Sequence, residues 1–253
     1  MMDFENKKFR KIFFEIYEHL PRGGPGDAAS TRKAYALTKG LPGHPKILDV
    51  GCGPGRQTMD LARISPGEIV AVDNHPPFLE RLKAAARRAG LHERIRAEEA
   101  DMFHLPFEQE AFDLIWSEGA VYNLGFENGL RVLGTFLRPG GYLAVSEAVW
   151  LKKDPPEELK AHWEAEYPAI TDIPENLAMI DKCGYVLMGN FTLPKSSWRD
   201  DFYTPMAARI AEVKKRYQHD QEVMEMMPYF QNEIEIYKKY SDYFSYEFFV
   251  MRK

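Results

Sequence analysis

The chain has 253 residues, a net charge of −5 at pH 7 and a pI near 5.9. This length predicts one domain with insertions, whose core needs no disulfide or metal, and the acidic balance argues against a nucleic-acid partner, which requires a concentrated basic face. No apolar run approaches the length of a bilayer span, and the first residues lack signal-peptide character, so we expect a cytoplasmic protein with no membrane contact.

The first 40 residues predict a helical cap. Apolar side chains from Phe9 to Leu20 recur at helical spacing on one face, so this helix must lie on an apolar surface. The Pro- and Gly-rich residues 21–27 end it, and Asp27 or Ser30 is placed to cap a second helix that ends near Gly40. By itself this break is equally typical of a flexible connector.

Residues 46–58 (Lys-Ile-Leu-Asp-Val-Gly-Cys-Gly-Pro-Gly-Arg-Gln-Thr) are the central motif. The apolar run predicts a buried strand, and the three alternating glycines predict a tight turn. A helix is expected to begin around Arg56. Glycine permits positive φ and removes Cβ atoms, so a ligand can approach the backbone. Arg56 stands where a dinucleotide-binding loop needs its third glycine, and the Gly-Lys-Ser/Thr of a P-loop is lacking.

Further strands alternate with helices after this loop. A second strand ends at Asp73, where a βαβ nucleotide site places its ribose ligand, although Asp73 has a second interpretation as a cap of the next helix. A third strand leads to Asp101, a fourth strand and its approach cover 112–120, and a helix is followed by a turn and a fifth strand at 137–147. This alternation predicts a parallel sheet covered on both faces.

The pattern Asp49-x-Gly51-x-Gly53-x-Gly55 resembles motif I of the class I S-adenosylmethionine-dependent methyltransferases. The string at 137–143 (Leu-Arg-Pro-Gly-Gly-Tyr-Leu) is similar to a signature frequent in this family, and the resemblance, which is to the small-molecule type, covers about residues 41–149. It implies a Rossmann-like α/β fold: a doubly wound, mostly parallel, seven-stranded sheet with an N-terminal helical cap and a helical insertion before the last strand.

The resemblance also implies a cofactor and a reaction. The cofactor is S-adenosyl-L-methionine, released as S-adenosyl-L-homocysteine, and the methyl group moves to a small-molecule nucleophile by in-line displacement. Asp73 would accept from the ribose hydroxyls and Asp101 from the adenine amino group, while Met102 packs on the ring and Arg22 forms part of a lid. The expected cofactor-binding residues are Arg22, Asp49, Gly51, Cys52, Gly53, Gly55, Gln57, Asp73, Asn74, Asp101, Met102 and Ser117.

Beyond Trp150 the resemblance weakens. A sixth strand near 185–193 and a last strand at 246–251 are separated by a long, aromatic-rich segment. This segment is expected either to pack in the core or at a homodimer contact, or to wall the acceptor pocket through Trp198 and Tyr203. The expected division is a cap or lid at 1–40 and a methyltransferase domain at 41–253, with a cofactor core at 41–149 and substrate-side insertions at 150–184 and 194–240.

A hydroxyl or ammonium nucleophile needs a base, for which Glu118, Tyr122 and Glu147 are the candidates, Glu147 also being counted with the substrate side. We expect no metal site. A nucleic-acid or protein methyltransferase is the first alternative, disfavoured by Ser-Glu-Gly-Ala at 117–120, where amino-directed DNA enzymes carry Asn/Asp-Pro-Pro-Tyr. A non-catalytic S-adenosylmethionine-binding module and a dinucleotide oxidoreductase are the others. The acceptor, the methylated atom and the oligomeric state are left open by these patterns.

Overall fold

The computed structural model describes residues 5–253. Most of the short N-terminal stretch used to argue against a signal peptide lies outside the described residues. The helices are α1 (Lys7–Tyr17), α2 (Ala28–Tyr35), α3 (Arg56–Ile64), α4 (Pro76–Arg88), α5 (Phe126–Thr135), α6 (Glu157–Glu166), α7 (Ile173–Lys182), α8 (Lys195–Trp198), α9 (Thr204–Arg216) and α10 (Gln221–Tyr240). The strands are β1 (Lys46–Val50), β2 (Glu68–Asp73), β3 (Ile95–Glu99), β4 (Phe112–Glu118), β5 (Leu137–Trp150), β6 (Thr171–Asp172), β7 (Val186–Thr192) and β8 (Phe244–Arg252).

The sheet follows the order β3-β2-β1-β4-β5-β8-β7, and β6 pairs with β5 beside this path. Strands β1 to β5 are parallel, whereas β8 runs antiparallel between β5 and β7. The mostly parallel, doubly wound α/β sheet is therefore confirmed, with the two-residue β6 added to the seven strands expected. The strand order reverses between β1 and β4, and ligands of such sheets bind at the carboxyl ends beside this point.

Two boundaries differ from the sequence prediction. Helix α2 begins after Asp27, whose carboxylate accepts from the Ser30 amide (2.7 Å), which confirms the cap, but it ends at Tyr35 rather than near Gly40. The expected turn after α5 belongs to β5 instead. The strand bulges there because Gly140 has a φ of +77° and the pairing with β4 shifts register, so β5 absorbs the Pro-Gly-Gly residues.

The sheet has an apolar core on each face. A third core lies between α1 of the cap and the helices α9 and α10, and we call it the cap core. Helix α1 packs Ile12 and Ile16 into this third core against residues such as Met206 of α9 and Phe230 of α10. Each such buried side chain contributes about 1.5–3 kcal/mol. The apolar face expected on α1 is thus buried, and its partners are the helices that precede the last strand.

Candidate functional site

A first cavity of about 800 Å³ lies at the carboxyl ends of β1, β2 and β4, under α1 of the cap. Its walls come from the glycine loop after β1, the end of β2, the segment after β3, the end of β4 and residues 22–25. Nine of the twelve expected cofactor residues line it: Arg22, Gly51, Cys52, Gly53, Gln57, Asp73, Asn74, Asp101 and Met102. A volume of this size is typical of small-molecule and cofactor sites.

The glycine loop requires glycine for two different contacts. A Cβ on Gly51, which has a φ of +71°, would lie 2.4 Å from the Cβ of Ala120. A Cβ on Gly55, which has a φ of +83°, would lie 2.4 Å from Leu82 of α4. Both φ values and both contacts exclude larger residues. Gly51 thus lets the loop approach the end of β4, while Gly55 lets α3 and α4 pack closely behind the cavity.

Asp49, Gly55 and Ser117 lie behind the cavity wall rather than in it. The buried Asp49 accepts from the Thr58 hydroxyl of α3 (2.6 Å), while its Oδ1 has no hydrogen-bond partner among the described residues. Burial raises its pKa to about 7. Ser117, also buried, donates to the Val50 carbonyl (3.0 Å) and ties β4 to β1. These side chains brace the loop from inside.

Asp73 stands at the end of β2 and lines the cavity. Its Oδ2 accepts from the Gly53 amide (2.8 Å) and its Oδ1 from the His75 amide (2.9 Å). Burial raises its pKa, and these two amides oppose the rise. The carboxylate therefore fixes the glycine loop and the start of α4, and each of its oxygens has a further lone pair for a ligand.

The segment after β3 brings Asp101 and Met102 to the wall of the same cavity. Asp101 is exposed, and its Oδ1 accepts from the Phe103 amide (3.0 Å), which lowers its pKa. On the loop side, the Gln57 amide nitrogen donates to the Cys52 carbonyl (2.9 Å), and burial raises the pKa of the Cys52 thiol. Cys52 is therefore a protonated, packed side chain at neutral pH.

Arg22 forms a buried ion cluster with two carboxylates. It donates to Asp60 of α3 (3.0 Å) and to Glu118 at the end of β4 (3.1 Å), and it is only 4% exposed. Glu118 also accepts from the Thr31 hydroxyl (2.8 Å) and the Trp116 indole (2.9 Å). Burial raises the pKa of Glu118 and Arg22 opposes this. Three donors therefore occupy the oxygens of Glu118. Through Arg22, Glu118 anchors residues 21–27, the glycine-rich segment between α1 and α2.

A second cavity of about 580 Å³ lies beside the first, between α1, α6, α10 and the end of the sheet. Trp198 and Tyr203 both line it. Trp198 donates to the Ser245 hydroxyl (3.1 Å) and stacks on Tyr237 with ring centroids 5.1 Å apart, so it also belongs to the cap core. Glu147 is buried beneath this cavity, next to Ala148, which lines it.

The two cavities share walls. Gly119 and Tyr122 after β4, together with Gly23, Gly24 and Pro25 of the glycine-rich segment, line both. Tyr122 lies edge-on to Tyr167, with ring centroids 5.6 Å apart, and burial raises its pKa. A ligand in the first cavity and one in the second therefore meet beside Tyr122.

Sequence reasoning missed several contributors to these cavities. Asp60 and Thr31 are ordinary helix residues in the sequence, and only the fold brings them to Arg22 and Glu118. Glu233 is one of several acids on α10, yet it faces the second cavity. Neither spacing nor motif distinguishes these residues, so no sequence signal marks them. Among the described residues, no cluster of His, Cys, Asp and Glu is arranged to hold a metal ion.

A protein-family model described as "methyltransferase domain" matches residues 47–141, the segment that contains the glycine loop and β1 to the start of β5. Residues 47–141 are thus similar to this family of methyltransferase domains, over less than half of the chain. This segment includes most of the expected cofactor residues, namely those from Asp49 to Ser117, but not Arg22.

Two proteins with similar sequences are named as methyltransferases. The methyltransferase GfsG of Streptomyces halstedii is 33% identical over 120 residues, which are 47% of this chain and 43% of that protein. The sterol 24-C-methyltransferase of Pneumocystis carinii is 28% identical over 161 residues, which are 60% of this chain and 43% of that one. The chain thus spans less than half the length of these two relatives.

Solved structures share the fold across the whole chain. A crystal structure of a SAM-dependent methyltransferase from Geobacter sulfurreducens, in complex with S-adenosyl-L-homocysteine, superimposes with a TM-score of 0.83 at 20% identity. It covers 99% of this chain and 99% of that one. The fold shared with this structure therefore includes the cap helices as well as the sheet.

Proposed function

We propose that this protein transfers a methyl group from S-adenosyl-L-methionine to a small-molecule acceptor. The observation that carries the proposal is the pair of adjoining cavities: one at the glycine loop with carboxylates on its walls, the other aromatic, with Gly119 and Tyr122 common to both. Two substrates that exchange a group must meet within reacting distance, and this arrangement provides such a meeting point.

The residues of the first cavity fit this cofactor. The glycines keep Cβ atoms away from the cleft, and the Asp73 and Asp101 carboxylates suit ribose hydroxyls and the adenine amino group. Met102 would pack on the adenine ring, with Asn74 and Gln57 as further polar neighbours. The negative side chains also suit the positive charge of the cofactor. S-adenosyl-L-methionine supplies an activated methyl group on a sulfonium sulfur.

The protein's own part in the reaction is to align the acceptor and to exclude water. We assign Tyr122 to positioning at the junction, and Glu118 to holding the Arg22 segment over it. The same segment lines both cavities, so its closure would shield both ligands.

We extend the proposal to the organisation of the whole chain. The cap (1–40), the cofactor core (41–149) and the substrate-side insertions (150–184 and 194–240) form the proposed division, and Trp198 and Tyr203 wall the acceptor site, with Glu147 beneath it. The helices described here include none long and apolar enough to cross a bilayer. The cytoplasmic location and the homodimer remain proposals, to be tested by cell fractionation and by light scattering.

The test is transfer of labelled methyl from S-adenosyl-L-methionine into a cell metabolite extract, with tRNA, DNA and protein fractions in parallel. We expect label in a small molecule, whose mass identifies the acceptor. Label in a polymer alone would establish the nucleic-acid or protein alternative instead. Absence of label in every fraction, together with tight cofactor binding in calorimetry, would favour a binding module without turnover.

A further inference from the structure

The second cavity combines aromatic rings with negative charge. Twelve of its lining residues are Phe, Tyr or Trp, and three are glutamates: Glu158, Glu166 and Glu233. Among the described residues that line it, none is Lys or Arg. An apolar acceptor would need the rings but not the acids, and an anionic acceptor would be repelled by them.

Glu233 is the acid best placed to act on a ligand. It projects from α10, and its carboxylate accepts from the hydroxyls of Tyr17 (3.3 Å) and Tyr203 (3.2 Å). Both tyrosines line the same cavity. Within the described part of the chain, Glu233 forms no ion pair with Lys, Arg or His. Burial raises its pKa to about 7, and the two tyrosine hydroxyls oppose this rise.

The other two glutamates are engaged differently. Glu158 is exposed and forms an ion pair with Lys239, which compensates its charge from outside the cavity. Glu166 accepts from the Tyr229 hydroxyl (2.9 Å). Glu233 is the glutamate of the cavity on whose carboxylate two lining tyrosines, Tyr17 and Tyr203, converge.

We infer that the acceptor carries an ammonium group, which binds at Glu233 among the rings of Tyr17, Tyr203 and Tyr229. This inference rests on the proposed function, because it names the class of molecule that the second cavity presents to the cofactor. A carboxylate supplies charge to an ammonium group, and aromatic faces attract the same cation through their quadrupole. The remaining rings accommodate an apolar body. Amphipathic amines fit this description, whereas phosphorylated or carboxylated acceptors do not.

The test compares three probes that share a phenyl ring and differ in charge: benzyltrimethylammonium, benzyl alcohol and phenylacetate. Binding to the whole chain, saturated with S-adenosyl-L-homocysteine, is measured by calorimetry and by the fluorescence of tryptophans, two of which line the cavity. We expect the cation to bind at least ten-fold more tightly than the other two. Equal affinities, or no binding of the cation at millimolar concentration, would overturn the inference.

Substitution of Glu233 locates the cation. E233Q keeps the size of the side chain and an acceptor oxygen for one of the two tyrosine hydroxyls but removes the charge. The affinity for benzyltrimethylammonium should therefore fall about ten-fold, while that for benzyl alcohol stays within two-fold. E235Q is the matched control, because Glu235 is an exposed acid on the same helix whose partner is Lys238 (2.8 Å). An unchanged cation affinity in E233Q, or equal losses in both variants, would contradict the assignment.

A separate measurement distinguishes this inference from the proposed function. S-adenosyl-L-homocysteine binding to the same preparation tests the first cavity alone, and labelling of the metabolite extract tests transfer. Cofactor binding and a labelled acceptor without an amine would remove the inference and leave the function standing. Selective binding of the cation without cofactor binding would remove the function.

Discussion

At the scale of single residues, Asp73 accepts from the glycine loop, and we propose that it also accepts from the cofactor. We expect Asp73→Ala to weaken binding of S-adenosyl-L-homocysteine at least ten-fold, because hydrogen bonds to a charged group contribute about 1.5–3 kcal/mol and the Gly53 and His75 amides lose their acceptor as well. Calorimetry of the purified variant measures the loss.

The control for Asp73 is its neighbour in the sheet. Glu99 pairs in register with Asp73 at the end of β3 and is exposed, so Glu99→Ala changes a nearby charge without touching the glycine loop. We expect its affinity to match that of the wild type. An unchanged affinity in Asp73→Ala would show that this carboxylate makes no contact with the cofactor.

Glu147 gives a prediction about pH. Burial raises its pKa from 4.5 to about 8, and its Oε2 has no hydrogen-bond partner among the described residues. The folded protein therefore holds this proton where the unfolded chain has lost it, so stability falls as pH rises between these two values. Glu147→Gln lacks this loss, and its free energy of unfolding should exceed that of the wild type by on the order of 2–4 kcal/mol above pH 8.

Urea unfolding from pH 5 to pH 8.5 measures the effect. The variant's advantage should grow with pH, since its amide does not titrate. Glu108→Gln, which neutralises an exposed acid, serves as the control and should run parallel to the wild type. Parallel curves for Glu147→Gln as well would mean that Glu147 titrates near its ordinary pKa.

At the scale of elements, Arg22 fastens the segment between α1 and α2 to α3 and β4. Arg22→Ala should cost about 3–5 kcal/mol of unfolding free energy, because it leaves the buried Glu118 without a compensating charge, whereas Asp60 keeps its ion pair with Arg63 (2.9 Å). Arg56→Ala is the comparison: Arg56 lies 3.7 Å from the same Asp60 but is exposed, so its removal should cost about 1 kcal/mol or less. Similar costs for both variants in urea unfolding would contradict this role of Arg22.

The elements nearest the glycine loop were the ones that sequence predicted well. Local patterns determine them: an apolar run for β1, alternating glycines for the turn, and Asp27 for the start of α2. The partners of α1 were not predictable, because an apolar helical face shows that a surface exists and not which one. The place of Glu233 in the second cavity was not predictable for a similar reason, since its neighbours Tyr17 and Tyr203 lie far from it in sequence.

At the scale of the whole molecule, the cap joins the two ends of the chain. Helix α1 packs with α9 and α10, and both α1 and α10 border the second cavity, while Arg10 and Phe13 of α1 also line the first. A ligand in the first cavity therefore touches the sheet and the cap together. Its binding should stabilise both as one unit.

This coupling predicts the thermal unfolding of the complex. At S-adenosyl-L-homocysteine concentrations about 100 times Kd, binding to the folded state alone adds about 2.7 kcal/mol, which for a chain of this size raises Tm by roughly 5–10 °C. NAD at the same concentration should leave Tm unchanged, because Arg56 replaces the third glycine that a dinucleotide loop requires. Calorimetric scans should show one transition that moves as a whole. A shift with NAD equal to that with S-adenosyl-L-homocysteine would revive the oxidoreductase alternative, and a transition that splits on binding would show that the ligand holds the sheet but not the cap.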